Sequence, residues 1–132
     1  MPQVILISQF SLPYDKTGSW TTMYFNYLKA NHQINYLVCK KPESLFETVK
    51  YEFVSQNKVL KIKQKLFGKT YLGYCKALKK ILKSDKKYIL QIVDNFGIIK
   101  PLQRFLIQNG LRENCQIQFF YHGFSPFYEN FQ

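Results

Sequence analysis

Asp94 and His122 are the residues of this chain best suited to acid–base or hydrogen-bonding chemistry at a shared site. Each follows an apolar run of strand type. Tyr88–Val93 precedes Asp94-Asn95, and Gln116–Tyr121 precedes His122-Gly123. A third candidate lies in the loop 11–18, which contains Asp15 and ends in Gly18, followed at once by Ser19. Where a loop opens into a helix, backbone N–H groups and the helix dipole favour a phosphate. A carboxylate or an imidazole at a neighbouring strand end can orient a hydroxyl or take its proton. Each position also has a structural role open to it. Gly18 can simply turn the chain, Asp94 can cap the segment after it, and His122 can be a structural hydrogen-bonder.

Other motifs are absent or misleading. The dinucleotide fingerprint G-x-G-x-x-G should follow the first strand, but Ser8 to Gly18 holds one glycine, which argues against NAD-type dehydrogenases and sugar-nucleotide epimerases. Gly68-Lys69-Thr70 imitates the end of a phosphate-binding P-loop, yet the first glycine of that motif would fall on Lys63. A phosphorelay receiver needs an acidic pair after its first strand, where Ser8-Gln9 stands. Neither G-x-S-x-G nor H-E-x-x-H occurs.

The elements that must position the candidates alternate. Gln3–Phe10 is a near-continuous apolar run, the signature of a strand buried on both faces. Trp20, Met23, Tyr24, Tyr27 and Leu28 then recur at helical spacing, with Ser19 or Thr17 as the cap and Asn31 as the stop. Ile34–Cys39 predicts a second strand, Glu43–Val49 a short helix, and Tyr51–Ser55 a weaker third strand. Residues 59–65 mix Val, Leu and Ile with Lys and Gln in a way that leaves strand and loop both open. A long helix is predicted from about Phe67 to Ser84, with Tyr71, Cys75, Leu78 and Leu82 on one stripe and Lys76, Lys79, Lys80 and Lys83 on the other side. After the strand Tyr88–Val93, Pro101 suits the first turn of a helix that turns Leu102, Phe105 and Leu106 inward and stops at Gly110. Gln116–Tyr121 is the last strand.

Alternating buried strands and helices predict an α/β domain: a Rossmann-like parallel sheet of about five strands with helices on both faces. A chain of 132 residues fits one domain. No apolar run reaches the roughly 18–20 residues that span a bilayer, and no signal peptide is expected. The tail 124–132 carries Phe127, Tyr128 and Phe131 with no element to bury them, which predicts a domain cut from a larger parent or a truncated reading frame.

Charge is lopsided, with 19 Lys+Arg against 8 Asp+Glu, a net +11, and all the cations but Arg104 and Arg112 are Lys. Between Lys58 and Lys87 stand eleven Lys and one acid, Asp85. Lys76, Lys79, Lys80 and Lys83 are the candidate face for an anionic membrane surface; a solvated helix face is the plainer alternative. Nucleic acid is the rival partner but is not expected, since Arg is scarce and no helix-turn-helix, RNP or zinc pattern occurs. Cys39, Cys75 and Cys115 are odd in number, far apart and in apolar contexts, which favours buried thiols in a reducing cytoplasm over a metal site or disulfide.

The run Val4–Ser8 with the loop Tyr14–Trp20, the strand end Ile92–Gly97 and the segment Ile117–Phe124 resemble the N-terminal Rossmann-like domain of GT-B glycosyltransferases, in particular glycosyltransferase family 4. The resemblance implies one half of a two-domain enzyme that builds a cell-surface or lipid-linked glycan, at the inner face of the cell membrane. Its nucleotide-sugar donor would be held mostly by a C-terminal domain with an E-x(7)-E type motif that these residues lack. The N-terminal domain would hold the glycan or lipid-linked acceptor, and no metal or other cofactor is implied. By the same resemblance Gly18, with Ser19, would lie near the donor phosphate. Asp94 and His122, with Asn95 and Gly123 beside them, would orient the acceptor or the transferring sugar, and Asp15 would be a weaker acceptor contact. In an inverting enzyme Asp94, His122 or Asp15 would be the general base. Thr17-Gly18 stands where the family often has two adjacent glycines. Two other classes stay open from the residues alone: another phosphate-handling α/β enzyme domain, and a basic nucleic-acid- or protein-binding module without catalysis.

Overall fold

Strands that are apolar on both faces must be covered on both, and the central strand of the sheet and its neighbour Tyr36–Cys39 are of this kind. In the computed structural model, β1 (Gln3–Ser8), β2 (Tyr36–Cys39), β3 (Lys50–Phe53), β4 (Tyr88–Val93) and β5 (Cys115–Phe120) form one sheet in the order β3-β2-β1-β4-β5. Every neighbouring pair is parallel. The structure describes residues 2–8, 34–41, 49–55, 58–67, 71–93 and 96–120. The α/β, Rossmann-like parallel sheet is therefore the expected one. The helices expected around Trp20–Leu28 and Glu43–Val49 fall wholly or largely outside the described residues.

Register assigns the two faces. Ile5 pairs with Leu90 and Ile7 with Ile92, while Leu90 pairs with Ile117 and Ile92 with Phe119. With Val38 these side chains form one core together with Leu78, Ile81, Leu102 and Leu106. Two helices supply that cover: α2 (Leu72–Ile81) and α3 (Ile99–Gln108), preceded in the chain by α1 (Lys58–Phe67). On the opposite face Leu6, Leu37 and Cys39 are buried in a second cluster. Farther along that face, Gln91 donates to Gln118 across β4 and β5 at 3.3 Å.

α3 ends as its sequence dictates. Leu102, Phe105 and Leu106 face the core. Gly110 takes φ +68°, the N–H of Gly110 reaches the Ile107 carbonyl, and the N–H of Leu111 reaches that of Leu106. This is the double-bonded glycine stop, with Leu106 and Leu111 both buried beneath it.

Two readings of the middle of the chain are corrected. Residues 58–67 are helical, neither strand nor loop. Val59, Ile62 and Leu66 stand at i, i+3 and i+7, and that helical period prevails over the two-residue alternation of Leu60 and Ile62. The long helix expected from Phe67 to Ser84 is shorter and begins later. Tyr71 has left-handed backbone angles, φ 62° and ψ 22°, and helix starts only at Leu72. At the other end Leu82 turns extended. The Tyr88 hydroxyl then accepts from the Lys83 N–H at 2.9 Å and donates to the Ile81 carbonyl at 3.3 Å, fixing the exit. The inward side of α2 is Gly73, Tyr74, Ala77, Leu78 and Ile81, while Tyr71 and Cys75 of the expected stripe are only half-buried. The limits of β2 and β3 and the start of β5 differ from expectation by one or two residues, within the usual latitude of element ends, and the expected ends Phe10 and Tyr121 lie outside the described residues.

Candidate functional site

Ligands of open α/β sheets sit beyond the carboxyl ends of the strands, where the strand order reverses. Here the reversal lies between β1 and β4, because β2 and β3 extend the sheet on one side of that pair and β5 on the other. Ser8 pairs with Val93 and Val93 with Phe120, so three strands end level at this edge. In sequence, Asp94 comes next after Val93 and His122 two residues after Phe120.

Ser8, 3% exposed, is the one buried polar residue among those described. Its carbonyl accepts a 3.0 Å hydrogen bond from the Tyr74 hydroxyl. Tyr74 lies in the first turn of α2, so this bond fastens the start of that helix to the end of β1. Gly73 permits the approach, since a Cβ there would lie 2.9 Å from Cγ1 of Val54, just past β3. Burial first, then the neighbouring Cys39 and Tyr71, push the Tyr74 phenol up to about 12. Tyr74 therefore stays a neutral hydrogen-bond donor throughout the neutral range.

Tyr71 brings a second phenol to the same edge. Its ring centroid is 6.1 Å from that of Tyr74, tilted by 55°. Its hydroxyl lies against Gly97, where a Cβ would be only 2.6 Å from the Tyr71 oxygen. Gly97 sits in the 3-10 turn Phe96–Ile98 that follows β4 and leads into α3. A left-handed aromatic residue costs roughly 1–2 kcal/mol, and such strain persists where the surroundings over-determine it. Tyr71 is the only non-glycine residue with positive φ among those described. Two tyrosine hydroxyls, a buried strand end and a glycine turn thus converge where the sheet reverses. Of these, Tyr74 is 7% exposed and its hydroxyl proton is given to Ser8, so the half-buried Tyr71 and the exposed Gly97 are what this edge presents to solvent.

Asp94, Asn95, Asp15, Gly18, Ser19, His122 and Gly123 lie outside the described residues. Lys76, Lys79, Lys80 and Lys83 are all exposed; the first three lie on the side of α2 away from the core, as expected, while Lys83, expected on the same helix face, falls beyond the end of α2 at Ile81. Lys80 reaches Glu52 of β3 at 3.4 Å, and at 70% exposure that pair is a weak one. None of the three cysteines is in a disulfide: Cys39 and Cys115 are buried and Cys75 is half-buried. Burial pushes the Cys75 and Cys115 thiols up to about 11, which makes both poor nucleophiles. Among the described residues no cluster of three metal-ligating side chains occurs. No helix among them is long and apolar enough to cross a membrane.

The sequence pointed to the strand ends but missed Tyr71, Tyr74 and Gly97 as neighbours of the edge. Gly68 and Gly73 carried the available signal, since two glycines near the start of a presumed helix mark a place where it breaks or packs closely. No family model, curated protein or solved structure gives a significant match to this chain.

Proposed function

We propose that this chain is the acceptor-side, N-terminal domain of a GT-B type glycosyltransferase. It would act in the transfer of a sugar from a nucleotide-sugar to a cell-surface or lipid-linked glycan, at the cytoplasmic face of a membrane. The observation that carries the reading is the reversal of strand order between β1 and β4, with level carboxyl ends and with Tyr71 and Gly97 beside them. In this reading Asp94 and His122 orient the acceptor hydroxyl or act as its base. Asn95 and Gly123 lie beside them, and Asp15 contributes a weaker contact. Gly18 and Ser19 face the donor phosphate. Most donor contacts belong to a second domain, so these residues alone bind acceptor and turn over no donor.

The test is ligand-observed NMR with mono- and oligosaccharides and with short lipid-linked glycans, run beside an assay for nucleoside diphosphate release. The reading expects saccharide binding that weakens at least tenfold in Asp94→Ala or His122→Ala, and no release of nucleoside diphosphate. Release by this chain alone would contradict the two-domain assignment. Absence of binding across the panel at millimolar ligand would contradict the acceptor role.

A further inference from the structure

We infer that α1 (Lys58–Phe67) is an interfacial helix that beds its apolar side chains in an anionic lipid surface. The inference rests on the membrane part of the reading above and is independent of sugar transfer. α1 meets the body of the domain through Leu60, which is buried. Val59, Ile62 and Leu66 are instead 58%, 55% and 71% exposed. At roughly 100° per residue their i, i+3, i+7 spacing makes one outward stripe, turned about 120° from Leu60. Lys58, Lys61 and Lys65 repeat the same spacing one residue earlier and line one edge of the stripe. Lys63 stands at its other edge, and all four lysines are exposed.

Charge complementarity selects the occupant. The chain has no acid between Glu52 and Asp85, so the whole neighbourhood of α1 in sequence is cationic. An aliphatic stripe between lysines is the make-up of helices that lie in a membrane interface, with apolar side chains among the acyl chains and amines among the headgroups. Protein interfaces instead draw on Tyr, Trp and Arg and are depleted in Lys, and the exposed side chains of α1 include none of those three. Binding to nucleic acid would be served by the lysines and would leave the exposed aliphatic stripe unused. The exposed lysines of α2 add long-range attraction to the same anionic surface.

Flotation with vesicles of phosphatidylcholine alone, and of phosphatidylcholine with about 30% phosphatidylglycerol, tests this. The chain should float with the anionic vesicles only. Ile62→Ser/Leu66→Ser should weaken binding at least tenfold with an unchanged melting temperature, because both side chains are exposed. Lys58→Gln/Lys61→Gln/Lys63→Gln/Lys65→Gln should weaken it comparably. Undiminished flotation of the serine variant would overturn the inference in favour of charge attraction alone. Failure of the wild type to float would overturn it too, as would a nucleic-acid gel shift without flotation. Saccharide binding measured without vesicles should be the same in both variants, so a failure here leaves the sugar-transfer reading standing.

Discussion

The hydroxyl of Tyr74 donates to the carbonyl of Ser8 at 3.0 Å, joining residues 66 apart in sequence. The bond ties the first turn of α2 to the carboxyl end of β1, beside the reversal of the sheet. Tyr74→Phe keeps the ring and removes the donor. Losing a buried hydrogen bond costs about 1–2 kcal/mol, which for a domain of this size lowers the melting temperature by about 3–6 °C. Thermal unfolding followed by circular dichroism reads this directly; an unchanged midpoint would show that the bond contributes nothing net.

Alkaline pH should destabilise the domain in the order of its buried acids. Burial raises the Cys75 and Cys115 thiols from 9.0 to about 11 and the Tyr74 phenol from 10.0 to about 12. Each group keeps its proton in the folded state when the unfolded chain has lost it. Stability from the thiols is therefore complete below pH 9 and declines between about 9 and 11; that from Tyr74 declines between about 10 and 12. Urea midpoints should fall from pH 9 upward, with a shallower fall in Cys75→Ala/Cys115→Ala.

Gly97→Ala should be destabilising by about 1–3 kcal/mol, the usual cost of forcing extra volume into a packed contact. The new Cβ would lie 2.6 Å from the Tyr71 oxygen and 3.3 Å from its Cζ. Tyr71→Phe removes the nearer atom, so the double variant should recover part of the loss. Additive effects in this double-mutant cycle would mean that the two residues do not press on each other.

β4 and α3 were legible because each has one clear pattern and a recognisable stop, Asp94 after an apolar run and Gly110 after a helix, and β1 because its apolar run is nearly continuous. α1 was not, since Leu60 and Ile62 satisfy an alternating pattern while Val59, Ile62 and Leu66 satisfy a helical one. The break at Tyr71 was hidden for a different reason. Left-handed backbone at an aromatic residue has no propensity signal, and the neighbour its hydroxyl meets, Gly97, is 26 residues away in sequence. Alternation predicted the parallel sheet and so its carboxyl edge; the strand order β3-β2-β1-β4-β5, which places the reversal between β1 and β4, is set by how the crossovers run and is not written in any local pattern. The tyrosine pair there depends on how α2 enters the sheet, which no local pattern encodes.

Replacing Lys76, Lys79, Lys80 and Lys83 with Gln should change stability by no more than about 0.5 kcal/mol for each, because a single exposed substitution seldom exceeds that. The contact between Lys80 and Glu52 does not alter this expectation, since an exposed ion pair contributes little. Equal urea midpoints at low and high salt would agree. A loss well beyond that range, abolished by salt, would show that the lysine face stabilises the fold.

The central claim is that the reversal between β1 and β4 binds a saccharide acceptor. Chemical-shift mapping of the isotope-labelled chain during a saccharide titration addresses it most directly. Saturable shifts should concentrate at Ser8, Tyr71, Tyr74, Gly97 and the residues following β4 and β5, and Gly97→Ala should weaken the affinity. Shifts confined to the amino ends of the strands, or none at any saccharide concentration, would contradict the claim.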